Sequence, residues 1–342
     1  MTSKDNPKAQ NSVLASLLRA RESSVVAVLI LLGVFLFFSP ARNTFYTQRN
    51  WQNLLLQISL LSIFAIGETI VIITGGIDLS LGSLIAFSGM TLAYSANALD
   101  ARMYTGIAVI LAIMIALFVS LAIGALHATL IHRLKLPAFV VTLAALTFFR
   151  SQSLLMNSQL PISVSKFPFL TWLANGKFFE NSPLPIPVPL VILAIVAITV
   201  HLILSKTRTG RYVYSLGSNE QATRLSGINV GRVKLFAYGT SALLGGLAGI
   251  LFAAYGGEGD PLSGAGYELN AVAAAVIGGA NLNGGQGSVA GTVLGACLLR
   301  VILSGINLTI QKNSSLWEGT IIGAVLLLAV LASALQQRQK QS

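Results

Sequence analysis

The longest uncharged apolar run in the chain extends from Ile107 to Ile131 without one Asp, Glu, Lys or Arg. About 20 apolar residues in a helix cross the hydrocarbon core of a bilayer, so this run is long enough to span it. Only 10% of the residues are charged, whereas soluble domains have about 25%, and the mean hydropathy is +0.76. These values exclude an ordinary soluble protein and predict an integral membrane protein.

Other apolar runs set the expected number of spans. Strong candidates are Leu54 to Ile73, Leu235 to Tyr255 and Trp317 to Ala334, and weaker ones are Val25 to Phe38, Ala138 to Leu155 and Val188 to Leu204. With the segments that flank the internal repeat described below, the sequence predicts an all-α polytopic membrane protein with about ten transmembrane helices.

The basic residues predict the orientation of these spans. The net charge is +11, but the positive charges are distributed over several short loops rather than gathered on one soluble module, which argues against a nucleic-acid partner. The positive-inside rule places the basic tail 1–23, the basic loop 205–234 and the tail 336–342 in the cytoplasm. Residues 24–335 then form one membrane domain. The first apolar segment is expected to stay as a span, because no small-x-small cleavage site follows it.

Segment 158–187 is predicted to be an external loop. Prolines are dense from Pro161 onward and continue to Pro189, with Trp172, Phe178 and Phe179 between them. Because proline removes a backbone donor and restricts the preceding residue, we expect no regular helix here. The aromatic residues suit an interfacial belt or a docking surface for an external partner.

A short motif occurs twice, at 75–82 and 278–285, with the shared pattern GG-x-[D/N]-L-[S/N]-x-G. Glycine pairs end helices, and Asp or Asn caps the helix that follows. We therefore predict two broken or re-entrant helices, restarting at about Leu79 after Asp78 and again after Asn281 or Asn283. Paired breaks in a membrane protein indicate a translocation pathway. The alternative is that the glycines only allow close packing. The predicted pathway or broken-helix residues are Gly75, Gly76, Asp78, Ser80, Gly278, Gly279, Asn281 and Asn283.

The cytoplasmic loop contains a second informative segment, from Gly217 to Ile228. It predicts a short amphipathic helix with glycine on both sides, on which Ala222 and Leu225 share one face. Such a helix is well shaped to lie in a groove of a second protein. A solvated loop is the alternative interpretation.

No catalytic, metal or cofactor motif is recognisable. The chain lacks a G-x-x-x-x-G-K-[S/T] phosphate loop, so any ATP would be hydrolysed by another subunit, and it lacks a clustered nucleophile and base. We expect no enzyme activity, no metal and no cofactor. Glu68 is a buried intramembrane carboxyl and so a functional candidate, although a hydrogen bond between helices is its simpler role. An ion-coupled secondary transporter, in which Glu68 or Asp78 carries a proton or cation, remains an alternative.

Three segments together resemble a known family. GGIDLSLGS at Gly75 to Ser83, GSNEQATRLSGINVGRVK at Gly217 to Lys234, and AVAAAVIGGANLNGGQGSVAGTVLGA at Ala271 to Ala296 resemble permeases of ribose, xylose, arabinose and autoinducer-2 type bacterial ABC importers. The resemblance implies an inner-membrane permease, usually a dimer, that works with a periplasmic sugar-binding protein and a cytoplasmic ATPase. It also implies import of a monosaccharide or similar small polar solute. The implied ATPase coupling helix comprises Asn219, Glu220, Ala222, Arg224, Leu225 and Gly227.

Overall fold

The computed structural model describes residues 28, 32, 42–180, 182, 185–309, 317–324 and 326–327. The helices in the first half of this part are α1 (Arg42–Phe45), α2 (Gln48–Ile73), α3 (Leu81–Asp100), α4 (Thr105–Arg133), α5 (Ala138–Leu155) and α6 (Pro168–Asn175). Those in the second half are α7 (Val188–Lys206), α8 (Arg208–Ser218), α9 (Glu220–Leu225), α10 (Val230–Gly256), α11 (Tyr267–Ile277) and α12 (Val289–Thr309). Residues 317–324 are helical as well.

Six helices in the described residues are long and apolar enough to cross a membrane: α2, α4, α5, α7, α10 and α12. Five of the predicted apolar runs fall inside them. The predicted span from Val25 to Phe38 lies almost wholly outside the described residues, and the one from Trp317 to Ala334 is described only in its first part. The structure is therefore a mostly helical, multi-pass architecture.

Helix α2 lies in the centre of the helix assembly. Within its most apolar window 94% of the residues are buried, against about a third or less for α4, α5 and α7. Every residue from Ile58 to Ile73 is buried. Helices α7, α10, α11 and α12 pack around it. Because α2 is surrounded by protein and α4, α5 and α7 present apolar side chains outward, the outer helices face lipid while α2 is the core.

The proline-rich segment corrects one expectation. It contains the helix α6, which the proline density was expected to exclude, and Pro168 is its first residue. Proline is tolerated there because the first N–H groups of a helix have no partner within the helix. Short antiparallel strand pairs flank α6: β1 (Ile162–Ser163) pairs with β4 (Glu258–Gly259), and β2 (Lys177–Phe178) pairs with β3 (Ile186–Pro187).

Candidate functional site at the paired helix breaks

The first copy of the repeat ends α2. Gly75 has φ +82°, its N–H donates to the carbonyl of Ile72 (2.9 Å), and the N–H of Gly76 donates to that of Val71 (3.1 Å). This is the hydrogen-bond pattern of a Schellman motif, which a left-handed glycine makes possible. The chain then runs without helix until α3 begins at Leu81.

The second copy ends α11 in the same way, one residue later in the repeat. Here Gly279, with φ +104°, takes the left-handed position, and its N–H donates to the carbonyl of Val276 (3.0 Å). The N–H of Ala280 donates to the carbonyl of Ala275 (2.9 Å). The next helix, α12, begins only at Val289. The second break is therefore the longer of the two.

The predicted caps are wrong in both copies. Helix α3 restarts at Leu81 rather than Leu79, and Asp78 lies two residues outside the N-cap position, which Ser80 occupies. In the second copy neither Asn281 nor Asn283 caps α12, because Ser288 Oγ accepts the hydrogen bond from Gly291 N (3.0 Å). The acidic or amide side chain instead closes a small turn inside each break.

That turn is the same in both copies. Asp78 Oδ1 accepts from Ser80 N (3.1 Å), and Asn281 Oδ1 accepts from Asn283 N (3.1 Å). A carboxylate or carboxamide oxygen is needed for this bond and either one serves, which explains the D/N alternation at this position. The repeated polar residues thus shape the breaks.

The two breaks contact each other. Gly285 N donates to the carbonyl of Ile73 at the end of α2 (2.8 Å). A Cβ on Gly284 would lie 2.7 Å from Gly217 O and 3.0 Å from Gly75 N, and a Cβ on Gly217 would overlap Ile73 O. Three backbone segments therefore meet without intervening side chains. We call this meeting point, formed by residues 73–75, 217 and 284–285, the glycine junction.

The carboxyl groups of Glu68 and Asp78 are buried beside the first break. Both Glu68 carboxyl oxygens accept from Asp78 N (3.1 and 3.3 Å), and Ser241 Oγ on α10 donates to Asp78 Oδ2 (3.1 Å). Glu68, Asp78 and Ser80 are all fully buried, whereas Asn283 is exposed. Glu68 thus fixes the break to α2. Its partner is a backbone amide in the loop that follows its own helix, whereas the simpler prediction was a hydrogen bond between helices.

Sequence reasoning missed the partners of this cluster on other helices. Besides Ser241, Tyr238 of α10 lies over the first break, where its hydroxyl would block any side chain at Gly76. His127 of α4 is also buried, but it is not hydrogen-bonded to this cluster, because neither of its ring nitrogens has a partner in the described part of the chain. These residues are single polar positions within apolar runs, and nothing in the local pattern distinguishes them from packing residues.

The predicted short helix in the cytoplasmic loop is α9. Asn219 Oδ1 caps it by accepting from Ala222 N (2.8 Å), and Gly227 ends it with φ +79°. Leu225 is 81% exposed. This exposed apolar side chain is the last residue of a short, capped helix.

Glu220 attaches α9 to α10. Its carboxylate pairs with Arg224 (3.1 Å) on the same helix and with Lys234 (3.0 Å) on α10. Partial burial alone would raise the pKa of Glu220, but hydrogen bonds and charge from Lys234, assisted by Arg224, bring that pKa below its usual value. Lys234 is fourteen residues away, so no helix-spacing rule could have identified it.

A polar cavity of about 460 Å³ separates α9 from the first break. Its walls include Gly75 and Gly76, the turn between α4 and α5, and the side chains of Glu220 and Lys234. The short helix, the ion pairs that hold it and the break therefore border the same cavity. In the described residues, no three His, Cys, Asp or Glu side chains come together as metal ligands would.

A family model described as "Branched-chain amino acid transport system / permease component" matches residues 50–330. The chain belongs to this permease family. The matched region includes both breaks and α9, so the glycine junction lies inside the family domain. No solved structure was found to match the permease.

Curated relatives cover nearly all of this permease. It is 37% identical to the ribose import permease protein RbsC of Escherichia coli K12, over 92% of this chain and 94% of the relative. It is 31% identical to the D-allose transport system permease protein AlsC of the same strain, over 88% and 87% of the two chains. The inner membrane ABC transporter permease protein YjfF is 38% identical over 81% of each chain.

Proposed function

We propose that this chain is the transmembrane permease subunit of an ATP-driven bacterial importer, and that it translocates a monosaccharide or similar small polar solute. The family membership supports a permease, and the relatives named for ribose and D-allose support a sugar. The family description mentions branched-chain amino acids, but two of the relatives that align along most of the chain are named for sugars, and YjfF is named as an ABC transporter permease. The same names favour ATP-driven transport over the ion-coupled alternative.

The proposed topology has ten spans in the bacterial inner membrane with both termini in the cytoplasm. Beyond the six long helices, it counts α3, the segment 257–277 that ends in α11, the first apolar segment and the helix that includes residues 317–324. The contact between Gly285 and Ile73 brings the end of α2 to the second break. This supports a parallel arrangement of the two repeats, with both breaks on the cytoplasmic side beside α9.

The observation that carries the proposal is the position of α9. It projects Leu225 outward, is held to α10 through Glu220 and Lys234, and shares a cavity with the first break. We infer that a separate ATPase subunit binds α9 through Asn219, Ala222, Arg224 and Leu225, with Gly227 ending the helix. In this proposal, ATP binding moves α9, and the movement is transmitted to the glycine junction.

The roles of the repeat residues follow from this arrangement. Gly75, Gly76, Gly278 and Gly279 end the helices, Asp78, Ser80 and Asn281 shape the turns, and Asn283 is exposed next to the glycine junction. In the proposal the two breaks border the pathway of a dimer of permeases. The external loop 158–187, with Phe179 exposed, faces the periplasmic binding protein.

The test is co-purification of the permease with its cognate ATPase subunit. Leu225→Asp places a charge on the exposed tip of α9, where it removes no internal contact, so the permease should fold normally and lose the ATPase. Leu160→Asp is the matched control, because Leu160 is also exposed (63%) but lies in the external loop. Full association of the Leu225 variant with the ATPase, together with normal uptake, would refute the coupling role.

A further inference from the structure

A second groove, separate from the glycine junction, lies where α4 ends and α10 begins. Its volume is about 330 Å³, and its lining includes Thr129, His132, Arg133, Asn229, Arg232 and Leu235. Two arginines line it and no acidic residue does. Neither guanidinium forms an ion pair with a carboxylate anywhere in residues 42–309.

The shape of the groove depends on one glycine. A Cβ on Gly231 would lie 2.6 Å from Cδ2 and 2.7 Å from Nε2 of His132, so a side chain at this position would displace the ring. His132 also borders the cavity beside Gly75, so this residue lines both spaces. The groove is consequently a built feature of the contact between two helices.

The polar groups of the groove suit a phosphate. Arg133 and Arg232 offer guanidinium forks, which match phosphate oxygens in a bidentate arrangement. Asn229 Oδ1 is engaged by Arg232 N (3.0 Å), which leaves the amide NH₂ of Asn229 as a further donor. The groove also adjoins the N-terminus of α10, a 27-residue helix whose partial positive charge favours an anion.

The apolar surroundings indicate that this phosphate belongs to a lipid. Leu235, one turn into α10, is about half exposed, and Leu126, about two turns before the end of α4, is exposed to a similar extent. Both helices are among the membrane-length helices. An acyl chain can therefore lie along Leu126 and Leu235 while its headgroup reaches the arginines, an arrangement typical of basic pockets between transmembrane helices.

We propose that this groove binds an anionic phospholipid, with the phosphate between Arg133 and Arg232 and the acyl chains along α4 and α10. The lipid joins the two helices at the level of the α4–α5 turn, next to the cavity that borders α9. This site is independent of the transported solute and of the direction of transport.

The test uses the full-length permease purified in a neutral detergent and depleted of lipid. Dioleoyl phosphatidylglycerol is then added, and native mass spectrometry measures how much of it the permease retains. Dioleoyl phosphatidylethanolamine and inorganic phosphate serve as competitors. Wild type should retain phosphatidylglycerol, and the double variant Arg133→Gln/Arg232→Gln should retain it at least tenfold less, because each guanidinium makes a charge-assisted contact. Arg133→Lys/Arg232→Lys should fall between them.

The control removes the same charge elsewhere on the same side of the molecule. Arg208→Gln/Arg211→Gln replaces two exposed arginines of α8 that do not line the groove, and it should retain phosphatidylglycerol as wild type does. Size-exclusion profiles and thermal midpoints without lipid verify that the variants fold. Equal retention by wild type and the Arg133/Arg232 variant, equal loss in the α8 control, or displacement of the lipid by inorganic phosphate would each overturn the proposal.

Discussion

Substitution of Gly217 by alanine tests the glycine junction most sharply. In the structure a Cβ at this position would overlap Ile73 O and lie 2.5 Å from Gly285 N. Both obstacles are backbone atoms, so no side-chain rotation can relieve the clash. The same two atoms form the hydrogen bond that joins the breaks (2.8 Å).

The size of the effect follows from three contributions. Overpacking of a tight contact costs about 1–3 kcal/mol, and loss of the hydrogen bond between the breaks adds about 1 kcal/mol. The better helix propensity of alanine offsets roughly 0.5–1 kcal/mol, since Gly217 lies within α8. We expect a net destabilisation of about 2 kcal/mol, which lowers the thermal midpoint of a chain of this size by about 3 °C.

The assay is thermal unfolding of the purified permease in detergent, monitored by fluorescence. Gly256→Ala is the matched control, because Gly256 is also a helical glycine but a Cβ there meets nothing within 4 Å. That variant should be unchanged or slightly more stable. If Gly217→Ala is as stable as Gly256→Ala, the three segments do not pack as described, and the reasoning from the glycine junction fails.

Further predictions concern the carboxyl groups. Glu220→Gln should cost only about 0.2–1 kcal/mol per ion pair, because the Glu220 side chain is 43% exposed and solvent screens it. The native pKa of Glu220 is lowered, so its stabilisation is present above the unfolded pKa of about 4.3 and lost as the pH falls through the native value. The difference in thermal midpoint between wild type and Glu220→Gln should therefore shrink in acid, and a difference that grows there would contradict the ion pairs. Asp78→Ala should cost about 1–3 kcal/mol because Ser80 N loses its buried acceptor, whereas Asp78→Asn should cost less, since Asn281 closes the same turn in the second break. Equal losses in these two variants would show that the Oδ1 contact does not shape the break.

Helix ends could be predicted from the sequence where a local rule determines them. Glycine pairs that close a helix depend on backbone conformation alone, so Gly75 and Gly278–Gly279 marked the ends of α2 and α11 correctly. The short helix α9 was predicted for the same reason, and Gly227 ends it as expected. The other expected boundary is wrong, because Gly217 lies within α8 and Asn219 caps α9 instead. The long apolar runs likewise marked the membrane helices in the described part of the chain.

Features that depend on contacts between distant segments could not be predicted. Asp78 looked like a cap because it precedes an apolar run, but Glu68 N-terminal to it and Ser241 on α10 hold it in a turn instead. The restart at Val289 was missed since Ser288 is one of several capping residues in a glycine-rich stretch. The contact between Gly217, Gly284 and Ile73 brings together three segments far apart in sequence. Helix α6 was not predicted, because the density of prolines was taken to exclude a helix. Proline is nevertheless permitted at the first position of a helix, where Pro168 lies.

Uptake in proteoliposomes tests the central claim that this permease is driven by ATP through α9. The permease is reconstituted with its cognate ATPase and binding protein, and uptake of radiolabelled ribose and allose is followed with ATP supplied on the ATPase side. We predict uptake of at least one of the two sugars that requires ATP hydrolysis, persists when a protonophore collapses the proton gradient, and is lost in Leu225→Asp. Uptake that continues without ATP and is abolished by the protonophore would contradict the account.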